Sequence, residues 1–319
     1  MSSATAIAHP NIALVKYWGK RNVLLNLPLV SSVSLTLSGW ATTTAVSWGT
    51  NSDEVFLNKE PAPAPFSTRV LSFLDHIAAD RPPCHIETYN DFPTAVGLAS
   101  SASGFAALAL AATTAAQVEC DRNALCQLAR LGSGSACRSI WGGFVHWDKG
   151  RANDGSDCLA RTVAKPDAWQ LAMVVAVTST SAKPVGSGEA MKRSQDTSPL
   201  FSTWVDTAEE DVSTALEAIG KRDLEVLGTV MEHSTFKMHA TTHTAKPPLL
   251  YWQPGTVQCL HTVFDLRQKG VGVWATMDAG PQVKALCHQK DAQRVASELE
   301  PHAKEVHLLL PGHGARVLT

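Results

Sequence analysis

The sequence has no marked excess of charge of either sign and little charge in total. Its 27 Lys and Arg residues are nearly balanced by 29 Asp and Glu residues, for a net charge of -2. This balance argues against a general nucleic-acid binder or a polybasic membrane protein, but it leaves room for a local basic pocket. Charged residues make up 18% of the chain and hydrophobic residues 45%, which excludes intrinsic disorder.

The sequence also lacks the signs of a disulfide framework, a secretory leader or a membrane span. It has seven cysteines, an odd number at irregular spacings with no CxxC pair, which predicts reduced thiols in a cytoplasmic protein. The first 18 residues have no basic region followed by an apolar core. The most apolar stretch, residues 104–118, is too short to cross a bilayer. We therefore expect a soluble cytoplasmic protein.

The order of strand-like and helix-like segments predicts an α+β fold. Polar and apolar residues alternate over residues 31–38, which is typical of a half-buried strand, and Asp121 is a suitable N-cap for a helix to Leu131. Residues 178–199 are rich in Ser, Thr, Gly, Lys and Pro, and predict a mobile loop at a domain junction. We expect two domains with antiparallel sheets and packed helices, residues 1–180 and 181–319. Further segments predict strands at 42–48, 54–57, 85–89, 139–147, 169–177, 271–277 and 306–310, and helices at 66–79, 97–118, 200–219, 224–241, 255–269 and 292–299.

Two segments rich in glycine and serine are candidates for anion binding. In residues 93–104 (PTAVGLASSASG), a turn leads into an apolar helix, whose N-terminal amides would face an anion. The Gly-Lys-Ser/Thr ending of a Walker A loop is missing, and a serine-capped turn is the alternative. In residues 131–143 (LGSGSACRSIWGG), Arg138 offers a two-pronged contact to phosphate or carboxylate. The alternative is a helix end with a solvated arginine.

Charged side chains beside apolar segments are further candidates. Lys16 and Lys20 follow a segment that predicts a strand. Either they are partly buried, which requires a neighbouring anion, or they are surface lysines, which do not need one. Asp278 follows another apolar strand and is either a general base or a helix cap. His239 and His243 have helical spacing, but without an adjacent glutamate they do not predict a metal site.

Six segments in the same order resemble the mevalonate diphosphate decarboxylases of the GHMP kinase superfamily. They are NIALVKYWGKR, FPTAVGLASSASGFAAL, GSGSACRSIWGGFVHW, DTSPLF, MHATT with the following KPPLLYW, and MDAGP. Together they cover most of the chain, from about residue 6 to residue 281. The resemblance implies a two-domain GHMP-kinase-like fold with the active-site cleft between the halves. It also implies ATP and Mg²⁺ as cofactors, 5-diphosphomevalonate as substrate, isopentenyl diphosphate as product, and a homodimer.

Carried over position by position, the resemblance implies a role for each matching residue. Asp278 would orient the substrate hydroxyl and accept its proton, and Lys16 would offset negative charge beside it. Ser101 would face the metal and the phosphates of ATP. The nucleotide-binding residues would be Gly97, Ser100, Ser101 and Ser103. The substrate-binding residues would be Asn11, Tyr17, Lys20, Ser133, Ser135 and Arg138.

The sequence departs from the family pattern in a few places. Asn22 stands where aspartate is usual, residues 29–30 are less polar, and Gln282 replaces asparagine. In the loop at 183–191 only Ser187 and Met191 keep the family's residue types. The alternatives are therefore a decarboxylase of the 5-monophosphate, a mevalonate 3-kinase, or a non-catalytic ligand-binding protein of the same fold.

Overall fold

The computed structural model describes residues 2–92, 100–181 and 183–318. In this part of the chain the strands are β1 (Ser2–Ala8), β2 (Asn11–Val15), β3 (Lys20–Asn22), β4 (Leu27–Pro28), β5 (Ser32–Ser38), β6 (Thr42–Trp48), β7 (Glu54–Leu57), β8 (Glu60–Pro61), β9 (Cys84–Asn90), β10 (Phe144–Trp147), β11 (Ala160–Ala164), β12 (Leu171–Val177), β13 (Val273–Thr276), β14 (Val283–His288), β15 (Glu305–Pro311) and β16 (Arg316–Leu318). The α-helices are α1 (Ala64–Leu74), α2 (Ser100–Ala115), α3 (Arg122–Gly132), α4 (Ala136–Ser139), α5 (Ser187–Thr197), α6 (Phe201–Lys221), α7 (Leu224–His243), α8 (Pro254–Gln268) and α9 (Ala292–Leu299). None of these helices combines the length and the apolar character that a membrane span requires.

The strands form two large sheets, and the α+β prediction with antiparallel sheets is confirmed. The first sheet has the order β16-β1-β6-β9-β7-β8, in which β7 and β9 are the parallel pair. The second has the order β11-β10-β5-β15-β12-β14-β13, with β2 paired to β5. In that second sheet β15, from the C-terminal part of the chain, pairs with β5 and with β12. Strands from both ends of the chain therefore share one hydrogen-bonded sheet.

The alanine-rich helix α2 packs against the first sheet. Ala106, Ala109 and Ala112 are fully buried in a cluster that also contains Val46 and Ile86 from β6 and β9. Small side chains allow the helix to lie close to the sheet, and each large apolar residue buried there contributes about 1.5–3 kcal/mol relative to exposure. This packing fixes the N-terminal end of α2, where three of the candidate serines lie.

Local signals in the sequence predicted several boundaries well. Asp121 is the N-cap of α3, and its carboxylate accepts a hydrogen bond from the Ala124 amide at 2.7 Å. By contrast, the strand expected from residue 139 begins at Phe144, because Ser139 is the last residue of the short helix α4.

The mobile loop expected over residues 178–199 is wrong for its second half, which forms α5. On one face of α5, Ala190, Met191 and Ser194 are buried, and the i,i+4 ion pair between Arg193 and Glu189 stabilises the opposite face. The polar composition misled the prediction, because this helix is half-covered by its neighbours and half in solvent.

Strand β5 also differs from its predicted half-buried state. Its residues 32–37 are buried on both faces, including the polar Ser32, Ser34 and Thr36. The Thr36 hydroxyl donates to the Trp141 carbonyl at 3.0 Å, and the Ser32 hydroxyl accepts from Arg138 at 2.9 Å. The polar positions therefore face structure rather than water.

Candidate active site

A cavity of about 640 Å³ gathers most of the residues that the sequence analysis selected. Its walls come from β2 and the segment after it, the start of α2, the loop between α3 and α4, the segment after β13, and α5 with the residues before it. The predicted residues that line it are Asn11, Lys16, Tyr17, Lys20, Ser100, Ser101, Ser133, Ser135, Arg138 and Asp278. Segments that are distant in the sequence thus meet at one cavity.

Arg138 is held rigidly at the wall of this cavity. Its side chain is 3% exposed, its Nε donates to Asn11 Oδ1 at 2.9 Å, and its Nη1 donates to Ser32 Oγ at 2.9 Å. The guanidinium also lies 5.9 Å from the centroid of the Tyr17 ring and 5.5 Å from that of Trp147. Burial lowers the pKa of Arg138, but an arginine remains charged in proteins. The alternative of a solvated arginine is therefore wrong.

Asn11 lines the cavity and also holds Arg138 in place. Its Nδ2 donates to the Ser139 hydroxyl at 2.7 Å and to the Ser135 carbonyl at 3.1 Å, while its Oδ1 accepts from Arg138. The amide of Asn11 is thus engaged with protein groups on both sides. It orients the guanidinium at the end of β2.

Gly134 allows Tyr17 to approach the same loop. A Cβ atom at residue 134 would lie 2.7 Å from the Tyr17 hydroxyl oxygen, which is closer than real contacts allow. In the described part of the chain this buried hydroxyl has no hydrogen-bond partner. Because an unpaired buried hydroxyl is costly, Tyr17 is suited to bind a polar ligand group.

Lys16 and Asp278 meet although they lie at opposite ends of the sequence. Their Nζ and Oδ1 atoms are 3.6 Å apart, and Lys16 is 1% exposed. Burial lowers the pKa of Lys16 to about 7, although the Asp278 carboxylate opposes that shift. Lys16 is therefore the buried lysine with a neighbouring anion, and not a surface lysine.

Asp278 has a second cationic partner that the sequence analysis missed. Lys284, fully buried on β14, places its Nζ 2.8 Å from Asp278 Oδ2. Burial alone would raise the pKa of Asp278, but Lys284 and Lys16 outweigh it and hold that pKa well below its ordinary value. A lone lysine in the apolar strand VKALCH was the available signal. Because Asp278 precedes a strand and pairs with lysines, it is not a helix cap.

Further cations line the cavity, and the sequence analysis missed two of them. Lys183 precedes α5 and Arg69 belongs to α1, where its Nη2 donates to the Gly132 carbonyl at 2.7 Å. Burial lowers the pKa of Lys183, Arg69 and Lys20. Lys20 donates to Asn26 Oδ1 at 2.5 Å, and both residues line the cavity. An isolated lysine or arginine in a polar or amphipathic segment does not by itself predict a binding site.

The serines at the start of α2 face the cavity unequally. Ser100 and Ser101 line it, and the Ser133 hydroxyl is 3.5 Å from that of Ser101. Ser103 is fully buried, where its hydroxyl bonds to Thr42 at 2.7 Å and to the Ser100 carbonyl at 3.4 Å. This corrects the expectation that Ser103 contacts the nucleotide, because its side chain points toward β6. Gly97 lies outside the described residues.

The cavity is strongly cationic. Among the described residues that line it, the cations are Lys16, Lys20, Arg69, Arg138 and Lys183, and Asp278 is the one carboxylate. Such an excess of positive charge, with serine hydroxyls at a helix N-terminus, suits a ligand with several phosphate groups. The described residues contain no group of three His, Cys, Asp or Glu side chains suited to hold a metal. In nucleotide sites Mg²⁺ commonly binds phosphate oxygens and waters, with only one or two carboxylates.

Comparison with known proteins gives a consistent result over the whole chain. Residues 8–160 match the diphosphomevalonate decarboxylase-like N-terminal domain, and residues 173–307 match the mevalonate 5-diphosphate decarboxylase C-terminal domain. The diphosphomevalonate decarboxylase mvd1 of Aspergillus fumigatus is 36% identical over 321 residues, covering 93% of this chain and 80% of the relative.

Solved structures agree with the sequence relatives. A complex of a protein called MDDEF with MVAPP, AMPPCP and magnesium is 38% identical, with a TM-score of 0.92 and 99% of each chain covered. Mevalonate diphosphate decarboxylase from Staphylococcus aureus is 34% identical, with a TM-score of 0.93 and coverage of 100% of this chain and 98% of the other.

Proposed function

The chain belongs to the diphosphomevalonate decarboxylase family, and from that membership we infer how its cavity works. The protein is an ATP-dependent carboxy-lyase that converts (R)-5-diphosphomevalonate to isopentenyl diphosphate, with ADP, phosphate and CO₂ as the other products. The reaction belongs to isoprenoid synthesis by the mevalonate pathway. The cations grouped around Asp278 are the observation that carries this assignment, because both substrates are polyphosphates.

Ser100, Ser101 and the N-terminal end of α2 would hold the phosphates of ATP. Their hydroxyls line the cavity at the end of the helix that attracts anions. The Ser101 hydroxyl would also face the Mg²⁺ ion. When bound, MgATP supplies the phosphoryl group that makes the substrate's tertiary hydroxyl a good leaving group.

The charged groups of the substrate would be held by five residues of the cavity wall, Tyr17, Lys20, Ser133, Ser135 and Arg138. Arg138 is fixed by Asn11 and Ser32 before any ligand arrives, so little reorganisation is needed on binding. The Tyr17 hydroxyl, which has no hydrogen-bond partner among the described residues, would donate to the same ligand. Because the Arg138 guanidinium is itself fixed, the substrate groups that bind it would lie at a fixed distance from Asp278.

Asp278 would accept a hydrogen bond from the tertiary hydroxyl and then its proton. Because two ammonium groups hold its pKa well below the ordinary value, Asp278 is ionised before substrate binds but is a weak base. The proton therefore moves late, as the hydroxyl oxygen gains its bond to phosphorus, which suits a loose phosphoryl-transfer transition state.

Lys16 would counter the negative charge that gathers beside the reacting carbon. Its Nζ also donates to the Ala13 carbonyl at 2.7 Å, and its main-chain amide donates to Ser234 at 3.1 Å. These contacts fix the ammonium in a site with little water, where electrostatic interactions are stronger than in bulk solvent.

A product assay tests this function and its alternatives. Mevalonate, its 5-phosphate and its 5-diphosphate are each supplied with ATP and Mg²⁺, and ADP and CO₂ are both measured. Equal ADP and CO₂ from the diphosphate alone is the expected result. ADP without CO₂ would indicate a 3-kinase, CO₂ from the monophosphate would indicate a different phosphate preference, and no product would indicate a ligand-binding protein.

We also propose the organisation of the working protein. Residues 1–180 and 181–319 would form the two halves that flank the cavity. The family matches also divide the chain in two, although they place the division between residues 160 and 173, before the proposed boundary. The family resemblance supports a homodimer, which sedimentation velocity would test. Seven cysteines without disulfides support a reducing, cytoplasmic location.

A further inference from the structure

His239 and Trp252 form a hydrogen-bonded chain that ends on the main chain of Asp278. His239 belongs to α7 and is 1% exposed. Its Nδ1 lies 3.1 Å from the indole Nε1 of Trp252, and its Nε2 lies 3.0 Å from the carbonyl oxygen of Asp278. Neither residue lines the cavity, so an effect of either one on the reaction would act through Asp278.

The chemistry of this chain fixes the position of the histidine proton. An indole N–H can only donate, so Nδ1 of His239 must be the unprotonated nitrogen that accepts. The proton of the neutral ring is then on Nε2, which donates to the Asp278 carbonyl. Burial lowers the pKa of His239 to about 3, and the nearby Lys16 and His243 add to that shift while Asp278 opposes it. The ring is therefore neutral in a single tautomer.

The same helix holds both members of the reacting pair. The Ser234 hydroxyl on α7 accepts the hydrogen bond from the Lys16 amide, and His239, just over one turn further along, reaches Asp278. The Asp278 carboxylate is held separately, by the ammonium groups of Lys284 and Lys16. Main chain and side chain of Asp278 thus have different supports.

We propose that His239, with its proton held on Nε2 by Trp252, is a positioning residue that fixes the Asp278 main chain so that the carboxylate meets the substrate hydroxyl. This proposal rests on the role given above to Asp278. In this proposal the hydrogen bonds from Trp252 to His239 and from His239 to Asp278 fix the Asp278 main chain, and the volume of the imidazole ring does not.

The kinetic test compares two substitutions of His239. In His239→Gln an amide nitrogen stands near the place of Nε2 and keeps a donor to Asp278, whereas His239→Leu removes it. We expect His239→Leu to lower kcat by about tenfold to a hundredfold, since small displacements of a reacting group have effects of that size. KM for both substrates should stay within about twofold, and His239→Gln should recover most of kcat.

His243→Leu is the matched control. His243 lies one turn further along α7 and packs against the same indole, with ring centroids 5.2 Å apart, but it has no contact with Asp278 among those the structure describes. This variant should keep the kcat of the wild type. Equal loss of kcat in the Leu and Gln variants at 239, or a wild-type kcat in His239→Leu, would overturn the proposal.

A spectroscopic test stands apart from activity and from the folding of the Leu variant. In ¹⁵N spectra of the histidine rings, assigned by the signals lost in His239→Gln, the wild type should show unprotonated Nδ1 and protonated Nε2 from pH 5 to 9. Trp252→Phe keeps a ring but removes the donor, so this tautomer should lose its dominance and kcat should fall. A proton on Nδ1 in the wild type would refute the inference, whereas loss of all decarboxylation in the wild type would refute the proposed function instead.

Discussion

Replacement of Arg138 by lysine gives a test whose size follows from the contacts. The guanidinium donates to Asn11 and to Ser32 at 2.9 Å each and lies over two aromatic rings. One ammonium group cannot reach both acceptors and also offer a two-pronged contact to the ligand. Loss of one hydrogen bond to a charged group, with part of the ring contact, is expected to cost about 3 kcal/mol.

That free energy corresponds to a loss of about a hundredfold in kcat/KM for the diphosphate substrate. The assay is release of CO₂ and ADP as the substrate concentration is varied, with the dissociation constant of the substrate measured by calorimetry without ATP. Because Arg138 both binds and orients, we expect a rise in KM and a fall in kcat. Values of kcat and KM within about twofold of wild type would refute the role of the two-pronged Arg138 contact.

Arg130 provides a matched control for the effect of burial alone. Like Arg138 it is 3% exposed, and its Nη1 donates two hydrogen bonds, to the carbonyls of Gly155 and Cys158. Arg130 does not line the cavity. Arg130→Lys should therefore lower Tm without changing kcat/KM. If both variants lose kcat/KM equally, the loss reflects damage to the fold rather than to the ligand contact.

The other predictions concern the reacting centre and the nucleotide. Asp278→Asn should leave ATP and substrate affinities nearly intact but abolish turnover, and CO₂ release at a comparable rate would contradict its role as base. Since burial lowers the pKa of Lys16 to about 7, its ammonium is lost as pH rises through that value; kcat/KM should fall on the alkaline side of pH 7, and a flat profile from pH 6 to 9 would disprove a need for this charge. Ser101→Ala should raise KM for MgATP by about tenfold, because it removes one hydrogen bond to a charged group. Ser103→Ala removes the hydrogen bond to Thr42, so it should lower Tm and leave the KM for MgATP unchanged. The reverse pattern would exchange the roles of the two serines.

Local chemistry determined much of the secondary structure. The start of α3 follows from Asp121, because an N-cap acts on amides two or three residues away. Strand β6 was predicted with its observed ends, since its alternation of buried and half-buried positions is visible in the residues themselves. The order of six short segments along the chain was likewise enough to suggest the family and most of the candidate residues at the cavity.

Only the tertiary structure decided which polar side chains are buried and what they meet. The local sequence around Lys16 and Lys284 does not predict that both side chains face Asp278. Their ion pairs depend on strands that hydrogen bonds bring together. Ser103 follows Ser101 by two residues, yet the helical rotation between them turns it to the sheet. Sequence therefore supplied the residue types and their local structure, while packing of the two sheets and α7 set the distances, the burial and the shifted pKa values on which the chemistry depends.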